Sequence, residues 1–570
     1  MCYRPLKILN NSRFFRKGID PLYKEVPCGN CYECQQQKRN DWLIRLYYEN
    51  KKVVAEGGQT FFVTLTYNDD NIPSLKLSQT DIDKCMLWLI SRRDIKEYRD
   101  LFDNFEHRFG ISPEFVVPDI PHCFSRDDLS DMLKKLRQVC DQRSLLSYSD
   151  IKKIRVFHSC EYGEKNHRPH YHSLFFVPFK ISPESFLTLV ELCWSKSYSK
   201  NEVPEEVIEF ANKLPKNSFQ FYETKKGWRD WIVQKNKYNR CYFSRKRGNC
   251  SYSKDNDAII TSPKGIEYVA KYVSKKDNYV SANNFYMLKY WLKFFPSVSK
   301  LKEIGHDELS DIINRCTQCF PFVHCSHNVG LSLLKEFEYM TDDEIVKMIN
   351  EKPIELEGNV RKYRVPAYII NRIMYRPDDF DNTLRILTPI GVKSLKYRYQ
   401  KKCDELERNM RDAFSVNTTF LTKDDYDKIY AKFGSDCFSR CDTNNLFAPF
   451  SFRDVAQYAL LFRNCYFPYL DRELLTLDAM RDIFGDFLDY RISQYNDGSI
   501  RPSDLDKGAI ASYIYNSYNN CPCFENFDLI IELSQFINNV VRERNGLKKF
   551  HDMKEAAAIR EIYQMFEYST

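Results

Sequence analysis

The sequence predicts an α+β fold, on three observations. Runs rich in apolar, aromatic and β-branched residues at Phe61–Tyr67, Ile154–Gly163 and His170–Val177 read as strands. The last two are joined only by the short polar loop Glu164–Arg168, so they pair antiparallel. Elsewhere apolar residues recur at helical spacing, and from residue 377 onward the pattern is mostly helical.

At 570 residues the chain can bury a large core and is expected to form two or more domains. Hydrophobic residues make up 43% and aromatics 15%, with 38 Tyr and 41 Phe, so a packed interior is expected. Net charge is only +7, but its distribution is uneven. Residues 225–276 hold 14 Lys/Arg against 4 Asp/Glu, which leaves the rest of the chain at −3. The opening Met1-Cys2-Tyr3-Arg4-Pro5-Leu6-Lys7 lacks the apolar core of a signal peptide. No run of about twenty apolar residues reads as a membrane span. The expectation is a cytoplasmic protein with reduced thiols, in which clustered cysteines among the twenty suggest metal rather than disulfides.

Cys28, Cys31 and Cys34 form a Cys-x-x-Cys-x-x-Cys run, and Cys2 can supply a fourth sulfur by folding back. Structural zinc, an iron–sulfur cluster and three buried unliganded thiols are the open readings. A basic helix follows, Gln35 to Lys51. In the first core strand Thr64 and Thr66 face one way and are candidates to touch DNA, or simply fill the strand. The helix Asp127 to Cys140 carries Leu129, Met132, Leu133 and Leu136 on one face; Lys134, Lys135 and Arg137 lie elsewhere, on a solvated face or against phosphates. Pro183 to Lys196 reads as an amphipathic helix with Phe186, Leu189, Val190 and Cys193 as its core stripe.

His170-Tyr171-His172 lies within the third strand run. Residues two apart on a strand share a face, so both imidazoles aim one way, a spacing suited to one divalent metal. Glu161 lies across the predicted hairpin from them, with His158 and His167 as competing third ligands. About a hundred residues later, Ser262-Pro263 opens a helical pattern through Lys276. Tyr268 and Tyr272 share one face of it, and Lys271 and Lys275 repeat the same offset. Two phenols among two ammoniums are a candidate pair of nucleophiles. The plainer reading is a tyrosine-rich helix packed on a sheet.

The strand Thr60–Tyr67, the His170-Tyr171-His172 pair and Tyr268-x-x-x-Tyr272-x-x-Lys275 together, in this order, resemble the HUH endonucleases that start rolling-circle replication. They are most similar in wording to the replication initiators of gokushovirus-like Microviridae. The resemblance runs from about residue 1 to 376. A basic, aromatic insertion at about 199–260 interrupts it, carrying Lys225, Lys226, Arg229, Arg245, Lys246 and Arg247 as candidate contacts to single-stranded DNA. Pro321–Glu336 resembles a block that normally carries a Gly-x-Gly turn, of which only Gly330 stands here, and Tyr363–Tyr368 resembles a further block.

The resemblance implies an antiparallel five-stranded HUH/RRM-like sheet with flanking helices, the histidines on a central strand and the tyrosine helix beside them. It implies an N-terminal zinc-ribbon-like segment, with Zn²⁺ on Cys2, Cys28, Cys31 and Cys34, and Mg²⁺ or Mn²⁺ on Glu161, His170 and His172. Tyr268 and Tyr272 become the nucleophiles, Tyr272 ranking slightly ahead by its match to single-tyrosine relatives, with Lys271 and Lys275 favouring the phenolate. The domains expected are 1–55, Cys-rich with the basic helix; 56–376, the nuclease; and 377–570, a helical accessory part. The implied partners are single-stranded DNA of a viral origin and a host helicase and polymerase. No Gly-x-x-x-x-Gly-Lys-Ser/Thr stands in the chain, which argues against a P-loop helicase of its own. A second candidate zinc site combines Cys316, Cys319, Cys325, His324 and His327. The rival readings are a zinc-containing DNA-binding protein without catalysis, and an HUH transposase or relaxase.

Overall fold

Alternation along Gln59–Thr66 buries Phe61, Val63 and Leu65 on one side and leaves Phe62, Thr64 and Thr66 half-exposed on the other, so this strand has a core face and a site face. The computed structural model describes residues 6–9, 23–27, 29, 31–95, 98–99, 120, 122–142, 145–223, 230–252, 258–275, 285–356, 361–377, 385–414, 421–440, 452–458, 529–538 and 540–541. They fall into two units, Lys38–Leu333 with Leu356–Val360, and the remainder.

The strands are β1 (Leu6–Leu9), β2 (Tyr23–Val26), β3 (Gln59–Thr66), β4 (Arg155–Tyr162), β5 (Pro169–Val177), β6 (Ser195–Tyr198), β7 (Ser218–Tyr222), β8 (Trp231–Lys235), β9 (Cys241–Lys246), β10 (Cys250–Ser251) and β11 (Val323–Cys325), followed by shorter ribbons. The central sheet is five-stranded, ordered β10-β3-β5-β4-β11, with every neighbour antiparallel. This is the α+β architecture and strand count expected, with the histidine strand β5 in the middle. Aromatic and β-branched side chains on β3, β4 and β5 suit a buried central sheet.

One sheet face packs on the helices Arg126–Gln142 and Pro183–Cys193, with Phe61 stacked on Phe186 at 4.1 Å. Here Leu129, Met132, Leu133 and Leu136 are buried, as their spacing predicts. A polar network runs through this core. Tyr67 Oη donates to Asp128 Oδ2 (2.8 Å) and lies 3.1 Å from Tyr171 Oη, which accepts from Ser125 N (2.8 Å); Arg247 Nη1 pairs with Asp128 Oδ1 at 2.5 Å. Tyr171→Phe leaves the Ser125 amide without its acceptor, so urea unfolding should report a loss of about 1–3 kcal/mol.

On the other face, Trp42 of the helix Tyr32–Ala55 packs on Phe157 at 4.8 Å. Gly330, at φ +82°, donates from its amide to Glu49 on that helix (2.8 Å), and a Cβ there would lie 2.6 Å from Arg45 Cβ. The turn that kept only this glycine therefore touches the helix so closely that no side chain fits.

The sequence pattern differs from the structure in three places. The helix expected to reach Lys196 stops at Cys193, because Ser195–Tyr198 leaves to pair with β9, a long-range partner the local pattern does not carry. The segment at 199–260 is a second antiparallel sheet, ordered β6-β9-β8-β7, packed on the helix Glu205–Lys213. Its small core joins Val207, Ala211, Trp231, Val233 and Phe243. In the other unit the long helix is Pro389–Phe414 rather than starting at Leu384, since Arg385–Leu387 pairs with Tyr375–Pro377. The helix expected at 452–466 is described as Phe452–Tyr458, and that at 524–546 over 529–538 and 540–541. Those at 474–494 and 553–568 lie outside the described residues. Among the described residues no helix is long and apolar enough to cross a membrane.

Candidate active site on the central sheet

Register brings the site together. Glu161 pairs with His170 and Ser159 with His172 across β4 and β5, while Thr66 pairs with His170 and Thr64 with His172 across β3 and β5. Phe62, Thr64, Thr66, His170, His172 and Glu161 therefore share the site face. The β4–β5 turn is tight, with Gly163 N donating to Arg168 O (2.9 Å) and His167 at φ +48°.

His172 Nε2 lies 2.8 Å from Glu161 Oε1, and its Nδ1 lies 3.3 Å from Thr64 Oγ1. A neutral ring satisfies both by donating to the carboxylate and accepting from the hydroxyl. The sequence placed Thr64 near DNA; here it orients His172. Burial raises the Glu161 carboxyl, but the hydrogen bond and charge of His172, with Lys275, outweigh it and hold the group below the usual carboxylate range. Burial and the neighbouring His172 push the His170 imidazole down, which keeps it neutral, the form that binds metal.

The tyrosine helix is Pro263–Lys271, with Ser262 at its N-cap and Pro263 in its first turn, and a 3₁₀ turn Tyr272–Ser274 ends it, shorter than the pattern through Lys276. Ile266, Val269 and Ala270 are its buried stripe, and Arg39 pairs with Glu267 at 3.0 Å. Tyr272 stacks on His172 with ring centroids 3.5 Å apart, and its hydroxyl donates to Tyr268 Oη at 2.6 Å. Tyr268 is 46% exposed and meets Phe62 edge-on at 5.9 Å. Burial, then the bond to Tyr268, then the charge of Glu161 push the Tyr272 phenol up.

Lys275 does not act as the sequence expected. Its ammonium lies 3.2 Å from both Glu161 Oε2 and Glu164 Oε1, and these carboxylates more than offset the effect of burial and raise it. The net effect on the Tyr272 phenol beside it is upward, not toward the phenolate. Lys271 is exposed.

As placed, no three His, Cys, Asp or Glu side chains among the described residues converge on one point as a metal group. The donor set of Glu161, His170 and His172 nevertheless suits a divalent ion. His170 Nδ1 is buried without a hydrogen-bond partner, an orphan that a small ring rotation can offer to a cation. Gly163 is what lets that ring sit there: a Cβ on it would lie 2.4 Å from His170 Nε2. Gly163→Ala should turn the ring and slow DNA cleavage on the order of 100-fold with cooperative unfolding preserved, read by paired nicking and melting assays.

The competing ligands lie elsewhere. His158 is fully buried on the core face, bonded to Ser173 Oγ at 2.8 Å and stacked on His324 at 5.7 Å. The carbonyl of His167 meets His122 Nδ1 at 2.9 Å. Cys316 and Cys319 are core thiols, the latter 3.7 Å from Cys123 Sγ, while Cys325 pairs in register with Phe157 on β11; the candidate second zinc set is not gathered among the described residues. Cys2 and Cys28 lie outside the described residues, Cys31 is buried and Cys34 half-buried.

Lys225, Lys226 and Arg229 also lie outside the described residues. Arg245 pairs with Asp70 (2.8 Å) and Asp230 (3.7 Å), Lys246 with Glu191 (3.2 Å) and Arg247 with Asp128. These cations tie the second sheet to its surroundings. Lys135 Nζ donates to Ser195 O (2.6 Å), Arg137 Nη2 to Ile154 O (2.8 Å), and Lys134 pairs with Asp131. Glu164 and Phe62 were missed; only Glu164's place in the loop beside the histidines hinted at a role.

Residues 118–277 match the family described as replication-associated protein ORF2. The chain is 23% identical over 191 residues to the replication-associated protein ORF2 of Spiroplasma virus 4, a stretch covering 31% of this chain and 44% of that protein. The chain thus spans less than half the length of that relative. No solved structure matches it. The chain is similar to these replication-associated proteins over the stretch that holds the paired histidines and both tyrosines.

Proposed function

We propose that the protein is a phage replication initiator of the HUH kind, which nicks and rejoins single-stranded DNA at a viral origin to drive rolling-circle replication. The observation that carries this is the stacking of Tyr272 on His172, with Tyr268 bonded to it, above Glu161 and His170. That two phenols meet a His-x-His face within the stretch similar to replication-associated proteins favours it over coincidence.

Tyr268 is the better first nucleophile, reversing the rank its motif alone suggests. Its oxygen is open to an incoming strand and accepts the hydrogen bond of Tyr272, which steadies negative charge as the Tyr268 proton leaves to solvent. The phenol oxygen attacks phosphorus, the bond to the 3′ oxygen breaks, and that oxygen takes up a proton. The products are a 5′-phosphotyrosine and a free 3′-hydroxyl that a host polymerase can extend. Attack by a 3′-hydroxyl on the phosphotyrosine reverses the step and rejoins the strand. With Tyr272 as second phenol, one end stays held while the other is cut.

Glu161, His170 and His172 would hold Mg²⁺ or Mn²⁺, which when bound polarises the scissile phosphate and offsets developing charge. Cys2, Cys28, Cys31 and Cys34 would hold a structural zinc in the segment 1–55, ahead of the nuclease at 56–376 and an accessory part at 377–570. Strand separation would fall to a host helicase.

The test uses purified protein, Mn²⁺ and end-labelled single-stranded oligonucleotides tiling the genome that encodes it. A label on the 5′ end of the downstream fragment should travel with protein on denaturing gels. Tight binding with no adduct at any oligonucleotide would favour a non-catalytic DNA-binding protein instead.

A further inference from the structure

The second sheet has two unlike faces. One is closed by the helix Glu205–Lys213 over Trp231, Val233 and Phe243. On the other, Phe219, Gln234 and Tyr242 stand in one cross-strand row, and Phe221, Ile232, Ser244 and Ser197 in the next. Tyr242 is 53% exposed, and Tyr238, in the turn leading into β9, is 72% exposed. Exposed rings on an antiparallel sheet are not what a closed domain leaves behind.

A groove of about 1340 Å³ opens over this face. Phe219, Tyr238 and Tyr242 supply its rings, and Lys135, Lys200 and Lys237 its cations. None of its lining residues is Asp or Glu. Lys135 reaches in from the helix Arg126–Gln142; it donates to Ser195 O at 2.6 Å and to Ser195 Oγ at 3.5 Å, which leaves one N–H group for a phosphate. Lys237 lies 5.0 Å from the Tyr238 ring centroid, so that cation and ring act on one spot. Lys235 also lines the groove but is buried and spans the carbonyls of Ala211, Asn212 and Leu214, which makes it structural.

We propose that this groove is a second binding site, a platform that holds unpaired DNA bases on Tyr242, Tyr238 and Phe219 while Lys135, Lys200 and Lys237 meet the phosphates. Rings set on a flat sheet stack on unpaired bases and cannot reach bases still paired in a duplex. The absence of carboxylates from the lining fits a polyanion. The proposal rests on the nuclease reading only for the identity of the strand; the binding itself needs no cutting.

The test therefore uses the full chain carrying Tyr268→Phe and Tyr272→Phe, and fluorescence anisotropy with a labelled single-stranded DNA, the same sequence as RNA, and a duplex. Adding Tyr238→Ala and Tyr242→Ala should weaken single-stranded DNA at least about fivefold per ring. Duplex affinity should change less than about twofold, and the melting curve should stay the same. Lys200→Gln with Lys237→Gln should flatten the slope of log K against log salt by about 1.4, for two lost phosphate contacts. Unchanged single-strand affinity in the tyrosine variant, or an equal loss for the duplex, would overturn the platform. A stronger effect on RNA than on DNA would overturn the assignment to DNA. Failure of the nuclease reading would appear separately, as absence of adduct from the chain with both tyrosines intact.

Discussion

Changing both Tyr268 and Tyr272 to phenylalanine should abolish covalent capture of DNA, a loss on the order of 10⁴-fold or more, since each is a phenol this face offers to the phosphate. The double variant is a clean probe because the rings remain. The stack on His172 and the edge contact with Phe62 need no hydroxyl. What disappears is one hydrogen bond between half-exposed groups, worth about 1 kcal/mol. The single variants should differ. Tyr268→Phe removes the exposed phenol and should suppress the first cut. Tyr272→Phe removes a donor to Tyr268 and the second nucleophile; it should leave a slower first cut and no strand transfer to a second oligonucleotide. Single-turnover gels with a labelled acceptor strand separate these outcomes. Equal first-cut rates for Tyr268→Phe and wild type would contradict the order proposed.

The second large effect is expected at Glu161. It meets His172 through one oxygen and Lys275 through the other, and its partner across the strands is His170. Glu161→Gln keeps an acceptor for His172 but removes the charge. Mn²⁺ affinity, followed by electron paramagnetic resonance of the free ion, should fall about 100-fold or more, and cleavage should fall in parallel. His170→Ala should weaken Mn²⁺ similarly while leaving the Glu161–Lys275 pair intact. Mn²⁺ affinity unchanged in both variants would remove the metal from this face, whatever the nuclease activity did.

Much of the site was legible because it follows from local periodicity. A period of two puts His170 and His172 on one face, a short polar loop makes the hairpin that brings Glu161 opposite them, and an offset of four aligns Tyr268 with Tyr272. What could not be read depends on partners far apart in the chain. Lys275 stands beside the tyrosines in sequence, yet its ammonium is taken by Glu161 and Glu164, so its effect on the phenols differs from the one its spacing suggests. Arg245, Lys246 and Arg247 look like a phosphate-binding run, but Asp70, Glu191 and Asp128 claim them from distant segments. The second sheet escaped notice because its strands β6 and β9 are short and lie far apart in the chain. Its open groove therefore emerges only from the fold, where Tyr242 and Phe219 line up across three strands.

The most direct measurement is peptide mapping of the covalent adduct. Protein incubated with Mn²⁺ and an origin oligonucleotide, then digested with nuclease and protease, should yield a peptide carrying a 5′-linked nucleotide. Mass spectrometry should place that nucleotide on Tyr268 in the first turnover and on Tyr272 once a second strand is supplied. A nucleotide on any residue outside this helix, or strand scission with no linked peptide at all, would contradict the tyrosine mechanism.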